Sequence, residues 1–261
     1  MRVNEQVSSP ATQPSAVTAV APQARVFIKP GFCWDEQGAY LFDIDGTLLR
    51  SRDRIHFESF YSSVRAVMGH DIVFDGVTFS GNTDPGILRD AFRLAQLEDT
   101  HWRRHLPNVL EAMRREVAER RSEMKLVKMP GVDEILAYLE SKGAALGVGT
   151  GNLESIGWLK IELAGLRHWF TFGGFSDNYD VRSDMIAHAM REAHRHAGAA
   201  ATVCVVGDTP FDISAARANG LPTIAVATGH FGFDELMEHN PEVCVTTLEA
   251  LLQTVKTSSP E

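Results

Sequence analysis

The chain has 261 residues, of which 44% are hydrophobic and 23% charged, ordinary values for a globular chain long enough to bury a substantial core. A formal charge of −9 counts against a general binder of nucleic acid or of anionic membranes, though a small anionic substrate depends only on a local site. No apolar run approaches the roughly 20 residues needed to span a bilayer, and the odd, widely spaced Cys33, Cys204 and Cys244 suit free thiols in a reducing cytoplasm.

Residues 1–25 are rich in Ser, Pro, Ala, Thr and Gln, carry no helical or strand period, and read as a disordered tail. The apolar piece within it, Val17 to Ala21, is too short and interrupted for a secretion signal. Val26-Phe27-Ile28 either pairs with another element or leads into the core. The next apolar run, from Ala39 to Phe42, ends on Asp43-Ile44-Asp45-Gly46-Thr47. Its two carboxylates stand one residue apart at the end of a strand, where ligands bind in open parallel α/β sheets. At 4 Å and an effective dielectric near 20 they would repel by roughly 4 kcal/mol, so a cation, a proton or wide solvation has to offset them. A strand followed by Asp and Gly is also plain turn chemistry.

From residue 51 to residue 129 the strand pattern gives way to helical stretches near 55–68, 85–97 and 107–124, with short strand-like pieces near 72–74 and 77–79. This segment holds 13 Lys and Arg against 12 Asp and Glu, a charge of +1 that leaves −10 for the remainder. The shift marks a helical cap over residues 51–129, inserted into an acidic α/β core made of residues 26–50 and 130–261. The core pattern then resumes. A helix opens at Pro130-Gly131 and stops at Gly143, and a strand over 144–149 ends in Thr150-Gly151-Asn152. Helices near 153–163 and 183–197 alternate with strands near 170–172 and 202–206. After Gly207-Asp208-Thr209-Pro210 come a helix, strands over 223–227 and 243–245, and helices near 234–239 and 248–255. Such alternation predicts a Rossmann-like parallel sheet with helices on both faces.

The chemistry falls at the strand ends. Thr150, followed by Gly151-Asn152, can offer a hydroxyl and backbone N–H donors to a phosphate, or simply cap a helix. Arg182 stands ahead of a helix, and Asp208 and Asp212 lie one helical turn apart. In the order Asp43-Ile44-Asp45-Gly46-Thr47, Thr150, Arg182, Gly207-Asp208-Thr209-Pro210-Phe211-Asp212, these motifs resemble those of the haloacid dehalogenase-like hydrolase superfamily, in its phosphoglycolate phosphatase-like branch. The resemblance runs from Tyr40 to Leu252 and includes the cap. One departure is Arg182-Ser183, where many relatives have Lys-Pro.

The resemblance implies a phosphatase that hydrolyses a small phosphomonoester through an aspartyl-phosphate on Asp43, with Asp45 as acid and then base. It implies Mg²⁺ held by Asp43, the Asp45 backbone carbonyl and Asp208, with Asp212 orienting a metal-bound water. Thr150, Gly151, Asn152 and Arg182 are then expected at the phosphoryl oxygens. His56, 11 residues beyond Asp45, contacts either Asp45 or the substrate, or is an ordinary packed histidine. Thr83 and Asp84 form either a substrate-facing turn or a helix N-cap. Phosphonate-cleaving relatives use a cap lysine as a Schiff base, and this chain has no lysine between Lys29 and Lys125, so cleavage of C–P bonds is not expected. The expected partner is a small phosphorylated metabolite, with no nucleic acid and no membrane, for a cytoplasmic monomer or homodimer. Transfer of the phosphoryl group back to a sugar, as in a phosphomutase, and a non-catalytic phospho-ligand scaffold are the alternatives.

Overall fold

A computed structural model describes residues 24–256; the expected disordered tail falls almost wholly outside them. In chain order the strands are β1 (Val26–Ile28), β2 (Ala39–Phe42), β3 (Leu49–Ser51), β4 (Leu126–Lys128), β5 (Ala145–Gly149), β6 (Phe172–Gly174), β7 (Val203–Gly207), β8 (Thr223–Val226) and β9 (Val243–Val245). The helices are α1 (Ile55–Met68), α2 (Asp84–Leu94), α3 (Asp99–Glu119), α4 (Val132–Ser141), α5 (Glu154–Leu163), α6 (Arg182–Ala197), α7 (Pro210–Ala218), α8 (Phe233–Met237) and α9 (Leu248–Lys256).

Seven strands form one sheet in the order β1-β9-β8-β7-β2-β5-β6, parallel throughout except for β1, which pairs antiparallel with β9. The sequence makes β2 its centre, because every residue from Ala39 to Phe42 is apolar and fully buried. Alternation along the strand then feeds two cores. Tyr40 and Phe42 join Val132, Ile135 and Leu139 of α4 and Leu248 and Leu251 of α9. Ala39 and Leu41 face the other way, onto Ala189 and Ala193 of α6. Helices therefore cover both faces, as a mostly parallel sheet requires.

Past the β2 turn the chain leaves through β3, which pairs antiparallel with β4 on its return. Between them α1, α2 and α3 enclose a separate cluster built on Phe60, Phe92, Trp102, Met113 and Val117, joined from the core by Leu153 and Ile156. The boundaries of α1 match the residues expected from sequence, and Gly69 in the left-handed region (φ 76°) closes it. Helix α3 differs: Pro107, which reads as a helix start, lies inside it. Trp102 explains the earlier start, since it is fully buried and stacks on Phe92 with centroids 5.7 Å apart, holding the preceding turn in place. The strand-like pieces near 72–74 and 77–79 are not strands; Phe74 and Phe79 instead turn inward against Phe60.

Candidate active site

Register places the candidate residues together. Phe42 pairs with Val148 of β5 and with Val206 of β7, so three adjacent strands end at one level. The next residues are Asp43 on β2, Gly149-Thr150 on β5 and Gly207-Asp208 on β7, and the Asp43 N–H donates to the Val206 carbonyl at 2.9 Å. The β2 turn folds back tightly at Gly46 (φ 88°), where a Cβ would lie 2.3 Å from Asp208 Oδ2. Helix α7 opens with a capping box in which Thr209 and Asp212 satisfy each other's backbone N–H groups.

Asp43, Asp208 and Asp212 are buried, with one carboxylate oxygen from each within 4.8 Å of the others. Among the described residues this is the acidic group placed to hold a metal ion. Arg182 is the cation inside it, 3.1 Å from Asp43 Oδ2 and 2.5 Å from Asp212 Oδ1. Asp212 Oδ2 accepts from the Thr209 N–H and hydroxyl, and Asp208 Oδ1 accepts from Thr47 Oγ1 at 3.0 Å. One arginine does not balance three carboxylates. Burial, against the pull of Arg182 and with a push from Asp212 and Asp45, raises Asp43 to about 6. Burial, then Asp43 and Asp212, raises Asp208 well above the usual carboxylate range.

Asp45 lies outside this group. Its carboxylate turns toward Lys160 of α5, whose Nζ donates to Oδ2 at 2.6 Å, and Asn152 Nδ2 donates to the same oxygen at 2.9 Å. Burial alone would raise Asp45, but the charge of Lys160 and the hydrogen bonds from Lys160 and Asn152 outweigh it and hold Asp45 below its ordinary value. Of the expected metal ligands, Asp45 thus brings no carboxylate oxygen to the acidic group.

The side chain of Asn152 is fully engaged: its amide donates to Asp45 and to Thr150 Oγ1 (2.7 Å) and accepts from Lys160 (2.8 Å), while its backbone N–H makes a long contact to Thr150 Oγ1 (3.4 Å). Thr150, accepting there, keeps its own O–H, and the buried Arg182 Nε has no partner among the described residues. Thr83 takes the N-cap alternative: its hydroxyl accepts the Gly86 N–H at the start of α2, and it is not among the residues that line the cavity. His56 lines the cavity, and its ring nitrogens do not meet Asp45. Nε2 meets Asp84 Oδ2 and Nδ1 meets Lys160 Nζ, each at 3.1 Å. Lys160 itself escaped the sequence reading. Its signal is a lone lysine on the buried stripe of α5 beside Ile156, Gly157 and Ile161.

The cap turn lies hard against both core loops. A Cβ on Gly151 would sit 2.1 Å from the Asn82 carbonyl oxygen, and one on Gly81 would sit 2.5 Å from Thr209 Oγ1. The Asp84 N–H donates to the Gly151 carbonyl at 2.8 Å, and its carboxylate accepts the Leu153 N–H at 2.9 Å. Between cap and core remains a cavity of about 620 Å³, lined from the core by Asp43, Asp45, Thr150, Arg182 and Asp208 and from the inserted segment by Arg54, Phe57 and Phe79.

Comparison with known proteins gives a family model described as haloacid dehalogenase-like hydrolase, matching residues 40–226. A phosphoglycolate phosphatase of Mesorhizobium japonicum is 31% identical over 125 residues, 47% of this chain and 53% of that protein. The chain thus spans about half the length of the curated relatives it matches at that identity. A phosphoglycolate phosphatase of Agrobacterium fabrum is 26% identical over 216 residues, 81% of this chain and 89% of that protein. Among solved structures, a Clostridium acetobutylicum protein described as a predicted phosphatase superposes with a TM-score of 0.63 at 18% identity, over 85% of this chain and 99% of that one, a likeness of fold.

Proposed function

Because the chain belongs to the haloacid dehalogenase-like hydrolase family, we propose that it is a Mg²⁺-dependent phosphatase acting on a small organic phosphomonoester. The observation that carries this reading is the division between two neighbouring aspartates: Asp43 faces Arg182 and the acidic group, while Asp45 is turned aside onto Lys160 and Asn152. A nucleophile and a proton carrier need such different surroundings.

The residues fit a hard cation. Asp43 and Asp208, with Asp212 behind them, offer oxygen ligands, and their raised proton affinity marks a place where positive charge is wanted. When bound, Mg²⁺ would neutralise charge at the phosphoryl oxygens. The Asp43 carboxylate attacks phosphorus, and the bond to the leaving oxygen breaks as Asp45, which must first take up a proton against the hold of Lys160, gives that proton to the leaving oxygen. Asp45 then takes a proton from the water that attacks the aspartyl-phosphate, releasing inorganic phosphate and restoring Asp43. The Thr150 hydroxyl and Arg182 orient the phosphoryl group from the far side. The leaving group would occupy the same cavity, which Arg54 and Phe79 also line.

The names of the curated relatives make phosphoglycolate the first substrate to try. Release of inorganic phosphate should require Mg²⁺, stop with a chelator, and fall by about 10³-fold or more in Asp43→Asn, whose amide cannot attack phosphorus. Undiminished release in metal-free buffer, or by that variant, would overturn the assignment.

A further inference from the structure

We propose that Lys160 is a positioning residue for Asp45, and that the cap completes its seat through His56, so that the acid–base carboxylate is set only while α1 lies against the core. The proposal rests on the phosphatase reading above and names a device within that same site.

Lys160 is 2% exposed, on a helix face otherwise given to apolar residues. A buried ammonium is tolerated only where its donors are used, and an ammonium has three N–H groups. They go to Asp45 Oδ2 at 2.6 Å, Asn152 Oδ1 at 2.8 Å and His56 Nδ1 at 3.1 Å. Two partners belong to the core and the third to the cap. With Lys160 donating, His56 Nδ1 must accept, which leaves the ring proton on Nε2, directed at Asp84 Oδ2. Asp84 returns to the core by accepting the Leu153 N–H and donating its own N–H to the Gly151 carbonyl. The series Asp45, Lys160, His56, Asp84 therefore crosses from core to cap and back.

Asp45 needs such a hold. Its side chain is 42% exposed and lines the cavity, and Lys160 and Asn152 fix the one oxygen they share. Asn152 is held in turn by Lys160. Loss of Lys160 removes the shorter of the two bonds that hold Asp45 and leaves Asn152 anchored only through its donors to Thr150 and Asp45, so Asp45 is present but loosely placed; positioned proton transfer contributes about 10²–10⁴-fold to a rate.

The test uses leaving groups that differ in their need for a proton. p-Nitrophenyl phosphate expels a stable phenolate without help from Asp45, whereas phosphoglycolate expels an alkoxide that must be protonated. In Lys160→Met, attack on p-nitrophenyl phosphate should stay within about tenfold of wild type, while hydrolysis of the aspartyl-phosphate falls by about 10²-fold. Stopped-flow traces should then show a burst approaching about one equivalent of p-nitrophenolate per enzyme, larger than in wild type, followed by slow turnover. Turnover of phosphoglycolate should fall by at least the same factor without a burst. His56→Ala, which keeps the Lys160 contacts to Asp45 and Asn152, should give a smaller burst of the same kind, and it carries the test should Lys160→Met fail to fold. Folded variants that lose both activities equally with no burst, or that behave as wild type, would overturn the inference. Absence of Mg²⁺-dependent release by the wild type from either substrate defeats the phosphatase reading, and this inference with it.

Discussion

Asp43 and Asp45 share a strand end and an amino-acid type, yet their surroundings push their proton affinities in opposite directions. Asp43 is the one that the fold carries at a cost. Its carboxyl holds a proton to about pH 6, so ionising it in the folded chain opposes stability by an amount on the order of 1–3 kcal/mol. Asn has nearly the same shape without the charge. Asp43→Asn is therefore expected to melt later than wild type in chelator above about pH 6, by that amount, while losing turnover. Thermal or denaturant unfolding of the two proteins at neutral pH, with EDTA, checks the sign. An earlier melt for the variant would mean that the contact with Arg182 outweighs the burial of charge.

Among the elements, the Ser80–Asp84 turn and the loop after β5 fit so closely that only a glycine serves at residue 151. Gly151→Ala has to push the cap turn outward, costing about 1–3 kcal/mol of stability and lowering kcat/KM through the displaced Asp84 and His56. Unfolding midpoints and steady-state kinetics of the variant measure both, and wild-type values in each would show that the turn yields freely. The same elements mark what the sequence could and could not tell. Strands β2, β5 and β7 were legible because short apolar runs stop on Asp43, Thr150 and Asp208, and register then brings those ends level. Helix α1 was legible from its period and its closing glycine. The roles of Asn152 and Lys160 were not, since each depends on Asp45 in a distant turn, and Lys160 also on His56 across the cap–core boundary. Pro107 misled for a similar reason, because the packing of Trp102 overrides a local helix breaker.

For the molecule as a whole, the acidic group couples stability to pH and to metal. A carboxyl whose proton is held more tightly in the folded than in the unfolded state adds stability at low pH and loses it as pH rises through the folded value. For Asp43 that loss runs from the ordinary carboxylate range up to about pH 6, and Asp208, raised by burial beside Asp43 and Asp212, adds a loss of the same sign. Metal must displace the same protons, so the gain in melting temperature with Mg²⁺ should be larger at about pH 8 than at about pH 5. A gain that shrinks with pH would place the ion elsewhere. The sheet order carries a consequence of its own. Its outermost strands, β1 and β6, are three residues each, and β1 covers Val243, Cys244 and Val245 of β9 one for one. Neither rim offers a long row of unpaired backbone groups, the template on which a second chain adds itself to a sheet. Self-association by edge-to-edge strand pairing is thereby discouraged at both rims of the seven-stranded sheet.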